Sequence, residues 1–214
     1  MSAQRSSLAA NDAGTRLETG DVMTRQEFHR RYALHPEIRS AELIEGVAYV
    51  GGRVSARDHG EQHAAMVGWL GGYSATHTVA HAASRATVIL DQANEVQPDV
   101  VLIRDAGGSS GVSADGYIEG PPELIVEISA SSTSQDLHQK KNAYRRNGVQ
   151  EYVVWRVLDG AIDWFALQDG QYVALSPNAS GVIESAVFPG LRLDVAAMLA
   201  GDISKVVAVQ SAAD

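Results

Sequence analysis

The chain has 214 residues, 45% apolar and 20% charged, with a net charge of −9 and no cysteine. That length suits one domain with tails, and the apolar share supports a core and excludes general disorder. Disulfides, thiolate zinc sites and cysteine nucleophiles are excluded, no run reaches the roughly 18 apolar residues of a spanning helix, and the acidic balance argues against a broad DNA-binding face.

Residues 1–22 lack an apolar stretch and read as a flexible N-terminal tail, not a secretory signal. The domain is expected over 23–200, with a C-terminal tail over 201–214. Thr24 and Glu27 make a capping box that predicts a short helix over 25–32. AELIEGVAYV (41–50) reads as a hairpin turning at Glu45-Gly46. Residues 59–73 read as a helix ending at Gly71-Gly72. Three short β-branched runs follow, THTVAHAA, ATVILD and VQPDVVLI, and read as strands. After a Gly/Ser-rich loop (106–120), ELIVEIS (123–129) has the pattern of a central strand buried on both faces. Residues 131–147 read as a helix stopped by Gly148. EYVVWRVL (151–158) is a further buried strand, and AIDWFAL and QYVALS flank the turn Asp169-Gly170. Asp194 is placed to cap a last helix over 195–199.

Two of these strands carry one acid each inside an apolar run, Asp99 and Glu127. A buried carboxylate is costly unless it is paired, protonated or bound to a cation. Two converging carboxylates repel unless a cation lies between them, and Mg²⁺ accepts one or two carboxylates plus waters and phosphate oxygens. The helix after Glu127 brings Lys140 and, one turn on, Tyr144; a lysine there can stabilise charge developing on a phosphate. These are the ingredients of phosphodiester hydrolysis.

PDVV (98–101), GYIEGPPELIVEIS (116–129) and DLHQKKNAYRRNGVQEYVVW (136–155), in that order and spacing, resemble the bacterial restriction-endonuclease family long catalogued as a domain of unknown function, within the PD-(D/E)XK nuclease superfamily. The resemblance covers about residues 23 to 200. It implies an α/β (α+β) fold, a restriction-endonuclease-like mixed β-sheet flanked by helices. It also implies a Mg²⁺- or Mn²⁺-dependent endonuclease acting on DNA. By it, Asp99 and Glu127 are the metal acids, joined by the backbone carbonyl of Ile128. The simplest superfamily pattern has lysine where this chain has Ser129. Lys140 on the following helix takes that role, with Lys141 as its rival. Glu42 is a further acid of the site and His63 a neighbour.

Each residue has a plainer reading. Asp99 suits a turn, Lys140 a solvated helix face, Tyr144 helix packing, Glu42 an outer strand face and His63 a satisfied half-buried histidine. His59 and His63, four apart, suggest a zinc pair but lack the Glu of the protease motif and a third ligand. GGSSG (107–111) matches a nucleophile elbow without the helix that must follow. His77 and His81 have no third partner. The alternative functions are a non-catalytic binding or scaffold protein on a nuclease fold, and a hydrolase of a small phosphodiester. A cytoplasmic homodimer with no membrane partner is expected, since closed dimers are the commonest assembly. A DNA groove would use Arg53, Arg145 or Arg146.

Overall fold

The computed structural model describes residues 16–52, 55–105, 107–130 and 132–211. Arg53, the predicted helix start at Ser131 and most of the expected N-terminal tail lie outside the described residues. Helix α1 (Arg25–Leu34) starts at Thr24, whose hydroxyl accepts from Glu27 N as the capping box predicts. Strands β1 (Ala41–Ile44) and β2 (Val47–Val50) form the expected hairpin. Its turn residues Glu45 and Gly46 have φ of 54° and 76°, the positive values that a two-residue turn between twisted strands requires. A π-helical turn (Ala56–Gly60) leads into α2 (Glu61–Thr76), which runs through Gly71-Gly72 instead of ending there. Helical glycines cost only about 1 kcal/mol each, and burial of Trp69, Leu70 and Tyr73 anchors the helix on both sides of them.

Strands β3 (Ala80–Ser84), β4 (Val88–Asp91), β5 (Asn94–Val96) and β6 (Val100–Arg104) follow. The run read as one strand, VQPDVVLI, is divided at Gln97-Pro98-Asp99, where proline supplies no ladder donor. Short β7 (Gly111–Val112) and β8 (Ile118–Glu119) lie within the run read as a Gly/Ser-rich loop (106–120), before β9 (Leu124–Ser129). A second π-helical turn (Gln135–Lys140) runs into α3 (Lys141–Asn147), which Gly148 stops at φ 85°. Strands β10 (Glu151–Arg156), β11 (Ala161–Gln168), β12 (Gln171–Ala174), β13 (Val182–Glu184) and β14 (Arg192–Asp194) precede α4 (Val195–Leu199), capped by Asp194.

The strands form two six-stranded mixed sheets, β2-β1-β5-β4-β8-β7 and β12-β11-β10-β9-β6-β3, with β13-β14 as a separate pair. The expected centre is present: β9 lies between β6, antiparallel, and β10, parallel. One face of this sheet packs on α2 through Leu124, Val126 and Val153 against Trp69 and Leu70. The other packs on α3 and the first sheet through Ile125, Val154 and Val101 against Tyr144 and Val88. Packing also extends past both expected boundaries. Leu17 is 3% exposed and Val22 bridges Val47, while a fifth helix, α5 (Ile203–Ser211), buries Val206. Among the described residues no helix is long and apolar enough to cross a membrane.

Candidate functional site

Strand alternation decides which way the acids point. Side chains two apart share a face. Glu127 shares the parity of Ile125, and Asp99 that of Val101 and Ile103; these three apolar residues line the face that meets α3. Val100 pairs with Val126 in the antiparallel register, so Asp99, one residue earlier, arrives beside Glu127 and Ile128. The chain leaves β9, crosses a short loop and enters the second π-helical turn. In that turn Lys141 N donates to Asp136 O, five residues back, a widened winding typical of functional sites. It sets Asp136 and Lys140 on one buried face.

Lys140 is 5% exposed and Glu127 4%. Lys140 Nζ lies 3.0 Å from Glu127 Oε1, 2.9 Å from Glu42 Oε2 on β1 and 3.8 Å from Asp136 Oδ1. The Tyr144 hydroxyl, one turn after the lysine, donates to the same Glu127 Oε1 at 2.7 Å. Gln97 N donates to Glu42 Oε1 at 2.8 Å, which holds the first sheet's acid in place. Asp99 Oδ2 accepts from Ile128 N at 2.8 Å, and its Oδ1 lies 2.9 Å from His59 Nε2. His63 Nε2 lies 3.2 Å from the Asp99 carbonyl oxygen and 3.1 Å from Ser84 Oγ. The group lines a cleft of about 430 Å³ whose walls include Glu42, His59, Asp99, Glu127 and Lys140.

Burial pushes the Glu127 carboxyl well above the usual carboxylate range; the Lys140 charge opposes this, and Asp136, Glu42 and Asp99 add to it. Burial alone would lower Lys140, but Glu127, Glu42 and Asp136 outweigh it and hold the ammonium well above its ordinary value. Asp99 is also buried, which raises its pKa, yet the bond and charge of His59 carry it below the usual range, with Ile128 N–H and Lys140 contributing. Burial drives the Tyr144 hydroxyl up, and the nearby Glu127 and Glu42 charges add to that, so it stays a donor.

The donor set bears on metal binding. Three carboxylates (Glu42, Glu127 and Asp136) surround one ammonium with Asp99 beside them, and no hydrogen bond engages Glu127 Oε2 among the described residues. Hard oxygens in negative excess fit Mg²⁺ or Mn²⁺ in chemistry. Among the described residues no three His, Asp or Glu side chains stand as an assembled metal cluster; Lys140 and His59 hold the oxygens instead.

Asp99, Glu127, Lys140, Glu42, Tyr144 and His63 are therefore brought together. Lys141 is not: its Nζ lies 3.3 Å from the Phe165 ring centroid, outside the acid cluster. Ser129 faces Asp136, donating to Oδ2 at 2.6 Å. Arg145 donates to Gly170 O and Asn142, and Arg146 pairs with Glu45. The cleft is lined instead by Arg85, an exposed residue at φ 52° with no side-chain partner among the described residues. His59 and His63 stack with ring centroids 5.8 Å apart, and both serve Asp99 rather than a shared zinc. Ser109 of GGSSG is held through its backbone N–H by Glu123, between β6 and β7, with no helix after it. His77 stacks on Tyr73 and His81 pairs with Asp105.

Sequence reasoning missed Asp136, 1% exposed, and the service of His59 to Asp99. The four-residue spacing of Asp136 and Lys140 was a legible signal, because such residues share a helix face. Nothing in the local sequence ties His59 to Asp99, forty residues away.

A solved structure from Anabaena variabilis, described as "a putative nuclease belonging to DUF820", is similar to this chain with a TM-score of 0.62 at 14% identity, over 75% of this chain and 90% of that one. At that identity the likeness establishes the fold. No curated protein matches the chain. The Uma2 family model, described as "Putative restriction endonuclease", matches residues 25–196, a span that holds every residue of the cleft named above. The chain belongs to this Uma2 nuclease family.

Proposed function

We propose that this protein is a divalent-metal-dependent endonuclease that hydrolyses phosphodiester bonds in DNA. The observation that carries the reading is the buried Lys140 ammonium, clamped between Glu42 and Glu127 beside Asp99 at the wall of one cleft. Asp99, Glu127 and the Ile128 carbonyl would hold Mg²⁺ or Mn²⁺, which supplies Lewis acidity and lowers the pKa of a bound water.

The chain's own residues do the rest. Lys140 keeps its proton, because three carboxylates hold its pKa up, and presents a fixed positive charge to the scissile phosphate. Glu42 and Glu127 fix that ammonium from two sides, and Asp136 adds its charge at 3.8 Å. Tyr144 orients Glu127, and His59 with Ile128 N–H orients Asp99. Arg85 at the rim supplies a guanidinium for the backbone of the substrate strand. Two copies about a twofold axis would cut both strands of a duplex.

Nicking of supercoiled plasmid tests the proposal, with Mg²⁺, with Mn²⁺ and with EDTA, beside a Glu127→Gln control. Metal-dependent nicking lost in the control supports it. Mn²⁺ binding without nicking moves the reading to a smaller phosphodiester, and neither binding nor nicking to a scaffold on a nuclease fold.

A further inference from the structure

Asp136 is buried in the second π-helical turn and held from several sides. Its N–H donates to Ser132 O at 2.9 Å, and its carbonyl accepts from Tyr152 OH at 3.0 Å and from Lys141 N. In the side chain, Oδ2 accepts from Ser129 Oγ at 2.6 Å and from Ser132 Oγ at 2.5 Å. Oδ1 is buried as well, yet accepts no hydrogen bond among the described residues. Its counter-charge is Lys140 Nζ at 3.8 Å, an ion pair about 1 Å longer than a charge-assisted hydrogen bond. A buried carboxylate fully supplied at one oxygen and left empty at the other asks for an explanation.

A lysine ammonium has three donors. Lys140 gives one to Glu127 Oε1 at 3.0 Å and one to Glu42 Oε2 at 2.9 Å. The third is left for Asp136 Oδ1 or for a substrate oxygen, not for both. Glu127 is also an acid that the proposed function assigns to the metal. Lys140 shares that carboxylate with a divalent cation only against the repulsion of their charges. Both glutamates keep a donor if the ammonium shifts: Tyr144 OH lies 2.7 Å from Glu127 Oε1, and Gln97 N lies 2.8 Å from Glu42 Oε1.

We infer that Asp136 is a positioning residue that receives Lys140 when the metal site fills: the ammonium exchanges Glu127 for Asp136 Oδ1 and keeps Glu42. The inference rests on the metal-dependent reading of the cleft. A shift of about 1 Å at the end of a flexible four-carbon stem completes the exchange. The two partners lie four residues apart on one helical face, and Ser129 and Ser132 hold the carboxylate still while the lysine moves. The three donors then go to Glu42, Asp136 and one phosphate oxygen, so every N–H of the buried ammonium has an acceptor as it meets the substrate. Without the Asp136 carboxylate, Lys140 stays on Glu127 and competes there with the metal.

The chain has three lysines, Lys140, Lys141 and Lys205, so Lys141→Arg and Lys205→Arg assign the ammonium signals of ¹⁵N-lysine protein. Scalar coupling across the hydrogen bond, from Nζ to a side-chain carboxyl carbon, names the acceptor. In EDTA, Lys140 is expected to couple to glutamate carboxyls alone. In saturating Mg²⁺ the Glu127 coupling is lost and an aspartate coupling appears, which Asp136→Asn lacks. A Lys140 signal that keeps Glu127 in saturating Mg²⁺, or gains no aspartate coupling, overturns the inference. Calorimetry with Mn²⁺ gives a second readout. Asp136→Asn is expected to weaken Mn²⁺ binding by about fivefold or more, but by at most about twofold on a Lys140→Met background. Equal weakening in both, the mark of a charge acting without the lysine, overturns the inference; the spectra of the wild-type chain decide it even where Lys140→Met fails to fold. Nicking by a protein whose Lys140 stays on Glu127 sinks the exchange alone. Exchange in a protein that never nicks plasmid sinks the nuclease reading alone, and no metal binding sinks both.

Discussion

Replacing Glu127 with glutamine separates what the site costs from what it does. The carboxyl is 4% exposed and its pKa stands well above the ordinary 4.5, raised by burial and by Asp136, Glu42 and Asp99 against the pull of Lys140. The folded protein therefore holds this proton more tightly than the unfolded chain does. As pH rises through 4.5 the unfolded chain releases it first, so stability falls from there until the folded carboxyl has itself titrated. Each pH unit in that window costs about 1.4 kcal/mol, which caps the loss by pH 7 at about 3 kcal/mol. Glutamine removes the proton linkage and still offers Oε1 to Lys140 and Tyr144. Allowing for a weaker bond to the ammonium, the variant should be about 1–2 kcal/mol more stable at pH 7, a rise of about 2–8 °C in midpoint for a chain this size. Urea titration at a series of pH values reads it, with the gap closing below pH 4.5 while nicking is lost at every pH. A Glu127→Gln protein that is less stable than wild type at pH 7, or whose advantage does not shrink in acid, would refute the electrostatic reasoning.

Lys140→Met should destabilise by about 3–5 kcal/mol in urea titration, because it leaves Glu42 and Glu127 facing each other without a cation. Lys141→Met should cost only about 1 kcal/mol, the worth of a half-buried cation–π contact; equal effects would undo the assignment of the site lysine. Arg85→Ala, on a Glu127→Gln background, should weaken duplex binding uniformly across sequences and lower the salt slope by about one, as read by fluorescence anisotropy. Gly120→Ala should destabilise by about 1–3 kcal/mol in thermal melts, because residue 120 sits at φ 85° and a Cβ there would stand 2.5 Å from Ser109 O.

Much of the fold was legible because it rests on local rules. The capping box at Thr24, the positive-φ turn at Glu45-Gly46 and the left-handed stop at Gly148 are backbone chemistry written in two to four residues. The apolar run around Glu127 announced a strand buried on both faces, and an acid inside it announced a partner. The two helices with glycine near their ends show the limit. Gly148 ends α3, but Gly71-Gly72 do not end α2, since burial of Trp69, Leu70 and Tyr73 outweighs the local preference.

By itself, then, the sequence pointed to two acids in apolar runs and a helical lysine sharing a site, and it named the family through their order and spacing. Tertiary structure alone decided which lysine. Lys140 and Lys141 are adjacent and chemically alike, and one buries its charge among carboxylates while the other rests on Phe165 because the π-helical turn aims only the first at Glu127. It also recruited His59 and Asp136, from a different helix end and an unremarked helical turn, and set Glu42, expected through the resemblance, against Lys140 from the other sheet. Their convergence is long-range, set by sheet register and by the packing of one sheet against the other, and a pattern read along the chain carries no record of which distant residues that packing brings together.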